Sequence, residues 1–160
     1  MYNRVLNSFR FNYLKNRRTL ILTGTTEDID IGSLVNIRCD NCDYEQDFFT
    51  GVGETFTLEG IKDWNNYQYK DLIGHLYNNH KIERTEIENK IFWCPKCDNL
   101  QVDTYVSLKY DQNKSFFTLF NCDRCKAEMK PVQRVNLIKK NMCPDCGKRS
   151  LSFEYTGIWD

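Results

Sequence analysis

The chain has 160 residues with 22 Lys/Arg balanced by 22 Asp/Glu, which is room for one modest core and excludes the strongly basic footprint of a dedicated non-specific nucleic-acid binder. The charge is distributed as a basic segment (residues 1–38, six against three), an acidic one (39–90, five against eleven) and a second basic one (91–160, eleven against eight). Alanine occurs once, at Ala127, while Asn, Lys, Ile and Tyr are frequent, the bias an AT-rich genome of a low-GC bacterium or its phage produces.

Residues 1–33 read as an N-terminal extension. Apolar positions from Val5 to Leu22 are mixed with Arg4, Arg10, Lys15, Arg17 and Arg18 and end in a β-like Thr-Leu-Ile-Leu-Thr run closed by Gly24. No apolar run has the length of a secretory signal or a membrane span, so the expected location is the cytoplasm. In that reducing compartment paired cysteines point to metal or redox chemistry rather than disulfides.

Residues 34–160 read as the body. Leu34 to Arg38 predicts a strand entering Cys39, and Tyr44 to Thr50 a strand leaving Cys42, stopped by Gly51-Val52-Gly53. Trp64, Tyr67, Leu72, Ile73, Leu76, Tyr77 and His80 recur every three or four residues, which predicts an amphipathic helix over about 62–80. The polar run Lys81 to Lys90 reads as a connection into a short strand, Ile91-Phe92-Trp93. Val102 to Tyr110 and Ser115 to Asn121 flank the turn-forming Asp111-Gln112-Asn113-Lys114 and predict a hairpin. A strand near Ala127 to Gln133 broken by Pro131, an apolar run Val135 to Ile138, and a last strand Leu151 to Thr156 complete an α+β, mainly antiparallel chain.

The chemistry lies in four C-x-x-C pairs: Cys39/Cys42, Cys94/Cys97, Cys122/Cys125 and Cys143/Cys146, with no cysteine left over. Two intervening residues let a tight turn aim two sulfurs at one ion and supply half a tetrahedron, so four pairs predict two structural zinc ions, each held by four thiolates. Two such sites would each keep about −2, bringing the metal-loaded chain near −4. A redox dithiol stands alone at a helix N-terminus, and four copies flanked by strands do not fit that pattern.

These pairs resemble the knuckles of the zinc-ribbon superfamily, in which two knuckles at one end of a small antiparallel sheet share an ion. Phe92-Trp93-Cys94-Pro95-Lys96-Cys97, a 24-residue hairpin segment and Phe120-Asn121-Cys122-Asp123-Arg124-Cys125 look like the ribbon of transcript-cleavage elongation factors over about 35 residues. Cleavage in that family depends on an Asp-Glu pair at the hairpin tip, and here the tip reads Asp111-Gln112-Asn113, so the resemblance implies the ribbon and not the activity. From residue 36 onward the order of knuckle, Gly-x-Gly, helix and three further knuckles is similar to small bacterial double-zinc-ribbon proteins, which implies an architecture of two ribbons with a helix inserted.

Pairing between knuckles stays open in the sequence. The hairpin favours the second with the third and leaves the first for the fourth, whereas sequential pairing is also permitted; loop-closure entropy separates the schemes by only about 1 kcal/mol. His75 and His80, four residues apart, could complete a Cys₂His₂ site with Cys39/Cys42, although the remaining knuckles already supply enough sulfur.

Four-thiolate sites have no open coordination position, and the chain carries no H-E-x-x-H, G-x-S-x-G or deaminase motif, so no catalytic residue is expected. The leading expectation is a non-enzymatic adaptor or regulator that binds a larger protein partner, with no membrane or small-molecule substrate indicated. Aromatic side chains such as Trp93, Phe116, Phe117, Tyr155 and Trp159 would supply core and surface. The alternative is a nucleic-acid or transcription-associated ribbon, for which Lys139, Lys140, Lys148 and Arg149 are the candidate contacts.

Overall fold

The structure, a computed structural model, describes residues 32–61, 63–64 and 67–159. Of the expected extension, only Gly32 and Ser33 fall within them, and they open the first strand; the Thr-Leu-Ile-Leu-Thr run lies outside the described residues. The elements in order are β1 (Gly32–Cys39), β2 (Glu45–Thr50), α1 (Leu58–Ile61), α2 (Lys70–Asn79), β3 (Ile82–Trp93), β4 (Leu100–Tyr110), β5 (Lys114–Phe117), β6 (Lys130–Pro131), a short 3₁₀ helix (Val135–Lys140) and β7 (Leu151–Trp159). They form an α+β arrangement of two antiparallel sheets, β2-β1-β7 and β5-β4-β3-β6.

Alternation decides which faces meet. In the first sheet Val35, Ile37 and Cys39 share a face with Phe48 of β2 and Leu151 of β7, because residues directly opposite in an antiparallel ladder point the same way. That face packs on Ile91, Leu100 and Ile138 to make one core cluster joining the two sheets. Gly51 and Asn89 exchange both backbone hydrogen bonds at 2.9 Å and tie the end of β2 to the middle of β3. Fully burying an Ile or Phe contributes about 1.5–3 kcal/mol, so this cluster outweighs any single surface contact described below.

The helix expected over 62–80 is shorter, and the described residues 63–64 and 67–69 are not α-helical. Only Lys70–Asn79 forms the amphipathic helix, and a separate turn of helix, Leu58–Ile61, precedes it. Backbone N–H groups of Asp63, Trp64, Tyr67 and Lys70 donate to the carbonyls of Gly60, Ile61, Trp64 and Tyr67, each three residues back rather than four. The three-to-four spacing therefore survives while α-helix does not. The rings of Trp64 and Tyr67 still join Ile61, Ile73, Leu76, Ile87, Val106 and Leu108 in a second core cluster. Tyr67 and Tyr69 are held by their hydroxyls, to Thr104 C=O at 2.8 Å and to Leu119 C=O, and these anchors compete with regular helix.

The polar run Lys81 to Lys90 is not a connection. It is most of β3, paired with β4 from Ile82 to Trp93. Glu86, Glu88 and Lys90 alternate with the inward Ile87 and Ile91, and Lys90 neutralises both glutamates at 2.6 and 2.9 Å. Conversely, the expected strand from Ala127 to Gln133 shrinks to Lys130–Pro131 at the sheet edge plus an isolated bridge from Glu128 to Asn121, since Pro131 has no N–H to extend the ladder. The hairpin β4–β5 forms around the expected turn, but its second strand, expected to reach Asn121, stops at Phe117, because the chain beyond is fastened through the Thr118 and Tyr69 hydroxyls instead of a continued ladder.

Edge-to-face rings run from one sheet to the other: Phe49, Trp159, Phe56, Trp64, Tyr67, Tyr69, Phe120 and Phe92, with successive centroids 4.8 to 6.1 Å apart. Trp159 ends β7 against Gly53, where an added Cβ would lie 2.8 Å from the indole. Its Nε1 donates to Thr50 C=O at 3.0 Å.

Candidate metal centres

Each C-x-x-C pair sits on a chain reversal between or beside strands. In three of them the same bonds recur. Cys94, Cys122 and Cys143 donate their N–H to the carbonyls of Asn99, Ala127 and Lys148, and accept at their own carbonyls from Asp98, Lys126 and Gly147, all at 2.8–2.9 Å. The fifth residue of these knuckles is left-handed, with φ of 57° at Asp98, 61° at Lys126 and 68° at Gly147. Gly147 meets that need at no steric cost, whereas Asp98 and Lys126 carry strain of about 1–2 kcal/mol each. The first knuckle keeps the bond from Cys39 N–H to Tyr44 C=O at 2.9 Å and adds one from Asn41 N–H to the Cys39 sulfur at 3.4 Å.

The sulfurs collect into two quartets, Cys39/Cys42/Cys143/Cys146 and Cys94/Cys97/Cys122/Cys125, each with all four Sγ atoms within 4.8 Å of one another. Closest approaches between knuckles are 3.7 Å (Cys39–Cys146), 3.6 Å (Cys42–Cys143), 3.4 Å (Cys94–Cys125) and 3.5 Å (Cys97–Cys122). A tetrahedron with metal–sulfur bonds of about 2.3 Å has edges of about 3.8 Å, whereas a disulfide requires about 2.05 Å. The spacing is that of four donors around one ion. The second knuckle joins the third, and the first joins the fourth; sequential pairing is not what the fold adopts.

Neighbouring groups polarise these sulfurs unequally. The Ser150 hydroxyl, 3.0 Å from Cys39, lowers that thiol to about 6 against the opposing effect of burial. At Cys122 burial raises the pKa, but the N–H groups of Cys125 and Arg124 overcome it and lower it to about 6. Cys42 and Cys97 each receive a lowering backbone N–H, from Tyr44 and Asn99, yet burial and the adjacent thiols push both up to about 12. Burial likewise raises Cys143. Four crowded sulfurs cannot all carry charge without a cation among them.

Side chains other than the cysteines, within and beside the knuckles, orient the quartets, and sequence reasoning missed them. Asn41 Nδ2 reaches the Cys146 sulfur and Asn99 Nδ2 the Cys122 sulfur, both at 3.7 Å, each spanning the two knuckles of its quartet. Arg124 of the third knuckle donates to Pro144 C=O at 3.2 Å and to Asp145 at 3.3 Å in the fourth, an exposed link between the two quartets. The signal available in the sequence was only that polar residues flank each cysteine pair.

The histidines are elsewhere. His75 is exposed on α2, and half-buried His80 caps the helix end with Nδ1 2.7 Å from Asp111 at the hairpin tip. Asp111 and Gln112 there have φ of 48° and 69°. Among the other singled-out residues, Lys139 lies 5.3 Å from the Phe153 ring centre and Lys148 donates to Asn41 at 2.9 Å, while Lys140 and Arg149 are exposed. Trp93, Phe116 and Trp159 pack inward, and Phe117 and Tyr155 remain more than half exposed, at 53% and 57%.

Compared with known proteins, the chain matches no family model, no curated protein and no solved structure. Among the described residues no helix is long and apolar enough to cross a membrane.

Proposed function

We propose that this chain is a double zinc ribbon, with one Zn²⁺ in each cysteine quartet, and that it works as a non-enzymatic adaptor or regulator by binding a larger protein partner in the cytoplasm. The observation that carries the reading is the closure of both quartets: four sulfurs at tetrahedral spacing offer the ion no vacant position for water or substrate. Thiolate donors in tetrahedral array suit zinc, and such ions hold small sheets together instead of reacting. Exposed Phe117, Tyr155 and Ile158 on strands supply surface for a partner that need not be ordered on docking.

The test has two parts. Purified protein should contain two zinc ions per chain and protect all eight thiols from alkylation until a chelator is added. Tagged metal-loaded chain should retain a protein partner at about 0.15 M salt, and the chelated form should not. One ion per chain, or unprotected thiols, would refute the metal assignment.

Nucleic-acid binding is the second reading, favoured by Lys139 over the Phe153 ring, which meets Tyr155 edge to face. Changing Lys139, Lys140, Lys148 and Arg149 together to Ser separates the two. Survival of the biological activity supports the protein-binding reading; its loss, with the partner retained and a steep salt slope for RNA or DNA binding by the wild type, replaces it.

A further inference from the structure

The second sheet contains a gap beside β4. β5 pairs with β4 only from Ser107 to Tyr110, yet β4 extends back to Leu100. The orientation of the peptide groups along the open stretch follows from β3. Asn89 exchanges both its backbone bonds with Gly51, and Ile91 C=O accepts from Val132 N–H, so both residues turn away from β4. Their partners in register, Thr104 and Val102, therefore turn their own N–H and C=O away from β3. Thr104 C=O accepts from the Tyr67 hydroxyl at 2.8 Å. Thr104 N–H and both backbone groups of Val102 have no partner among the described residues.

The chain after β5 would cover these groups if it ran straight. Instead it is stitched to β4 at two points and bows out between them. At one end Thr118 N–H donates to Val106 C=O, and Val106 N–H donates back to the Thr118 hydroxyl, each at 3.0 Å. At the other end the Gln101 side chain holds Asn121 C=O at 3.4 Å and Asp123 N–H at 3.3 Å. In the bow, the N–H and C=O of Leu119 both go to the Tyr69 hydroxyl. A cleft of about 620 Å³ results, lined by the rings of Tyr67, Tyr69 and Phe120 and by Asp103 and Asp123. That lies within the size range of ligand-binding clefts, about 300–1,000 Å³.

The charge of the cleft says what suits it. Burial pushes the half-buried Asp103 carboxyl above its ordinary range, Gln101 partly offsets this, and the charge of Asp123 adds to it. Neither acid has an ion-pair partner among the described residues, and the lining includes one cation, Lys126.

We propose that this cleft takes a short extended segment of a partner protein, which adds to β4 alongside Val102 and Thr104 and sets a lysine or arginine against Asp103 and Asp123. This rests on the protein-binding reading above and specifies its site. Backbone pairing supplies attachment and the two carboxylates supply selection for a basic side chain.

The probe is a fluorescein-labelled octapeptide of alternating Val and Lys, measured by anisotropy against the metal-loaded full chain. The controls are the same peptide with Glu for Lys and two versions N-methylated at every Val or at every Lys amide. Saturable binding of the Lys peptide alone is expected. One of the two N-methylated versions should bind at least about tenfold more weakly, because only alternate amides face the neighbouring strand. The double variant Asp103→Asn/Asp123→Asn, with metal content verified, should lose a similar factor. Amide exchange at Val102 and Thr104 should slow when peptide is present. Absence of saturable binding, or equal binding by the parent and both N-methylated peptides, overturns the proposal; the latter leaves only electrostatic attraction. The same double variant separates this failure from failure of the broader reading. If it retains the protein partner held by the wild type, the cleft is not the site although protein binding stands, and if the wild type retains none, the broader reading falls.

Discussion

Double replacements of cysteine test the quartets directly. Cys97→Ser with Cys122→Ser takes two donors from one quartet, where the sulfurs lie 3.5 Å apart, and leaves Cys39, Cys42, Cys143 and Cys146 untouched. Cys97→Ser with Cys143→Ser takes one donor from each. Structural zinc binding contributes about 10–16 kcal/mol, so an equal share per thiolate is about 2.5–4 kcal/mol, or a factor of about 10² to 10³ in Kd. With free zinc buffered about tenfold above the wild-type Kd, an intact four-thiolate site stays filled and a three-thiolate site empties. The first variant should therefore carry one ion and the second none, measured by elemental analysis after gel filtration in the buffer. Local damage should follow the metal. In the first variant exchange protection should fall around Phe92, Phe120 and Met129, which pack on Cys94 and Cys122, while β1, β2 and β7 stay protected. Loss of both ions in both variants would mean sequential pairing, and one ion in the second variant with none in the first would mean first-with-third pairing. Either result refutes the quartets described here.

Gly53→Ala should cost about 1–3 kcal/mol, because its Cβ would press on the Trp159 ring, and much less in a Trp159→Ala background; a double-mutant cycle by urea unfolding of the zinc-loaded protein measures the coupling. Lys126→Gly should stabilise by about 0.5–1 kcal/mol by removing a left-handed Lys, whereas Gly147→Ala, where a Cβ meets nothing but φ is 68°, should destabilise by about 1 kcal/mol; melting temperatures decide both. Metal affinity should rise with pH. Thiols at Cys42 and Cys97, held near 12, and at Cys143, also raised, keep their protons at neutral pH and must release them to an ion, so apparent affinity gains about tenfold per pH unit for each proton displaced. Between about pH 6.5 and 8 log Kd should fall by at least about one per pH unit for the Cys97 quartet and about two for the Cys42/Cys143 quartet; a flat profile in competition titrations would refute this charge distribution.

Much of this was legible along the chain because it depends on local spacing. Four C-x-x-C pairs announce four knuckles, since the geometry of a half-site is contained in a few residues. The hairpin around Asp111 and the strands near Cys39 and Leu151 were readable from alternation and turn residues. The α-helix was only partly so. Spacing by three or four marks any winding that returns side chains to one face, and Trp64 and Tyr67 satisfy it in three-residue turns because their rings and the Tyr67 hydroxyl are held by distant partners. Similarly, Glu86, Glu88 and Lys90 looked like a connection until their ion pairs and the β4 ladder placed them on the outer face of a strand.

Composition and spacing by themselves determined that this chain offers eight thiols in four pairs, a balanced charge and too few long apolar runs for a membrane helix. Tertiary structure alone decided which pairs share a site, because entropy differences of about 1 kcal/mol between schemes are smaller than what strand pairing and core packing contribute. The antiparallel pairing of β1 with β7 carries Cys39 to Leu151 and so brings the first knuckle to the fourth across more than a hundred residues of chain. The open edge at Val102 and Thr104 has the same origin: whether a peptide group is free depends on where Thr118 and Gln101 fasten a separate stretch of chain, and no local pattern encodes that.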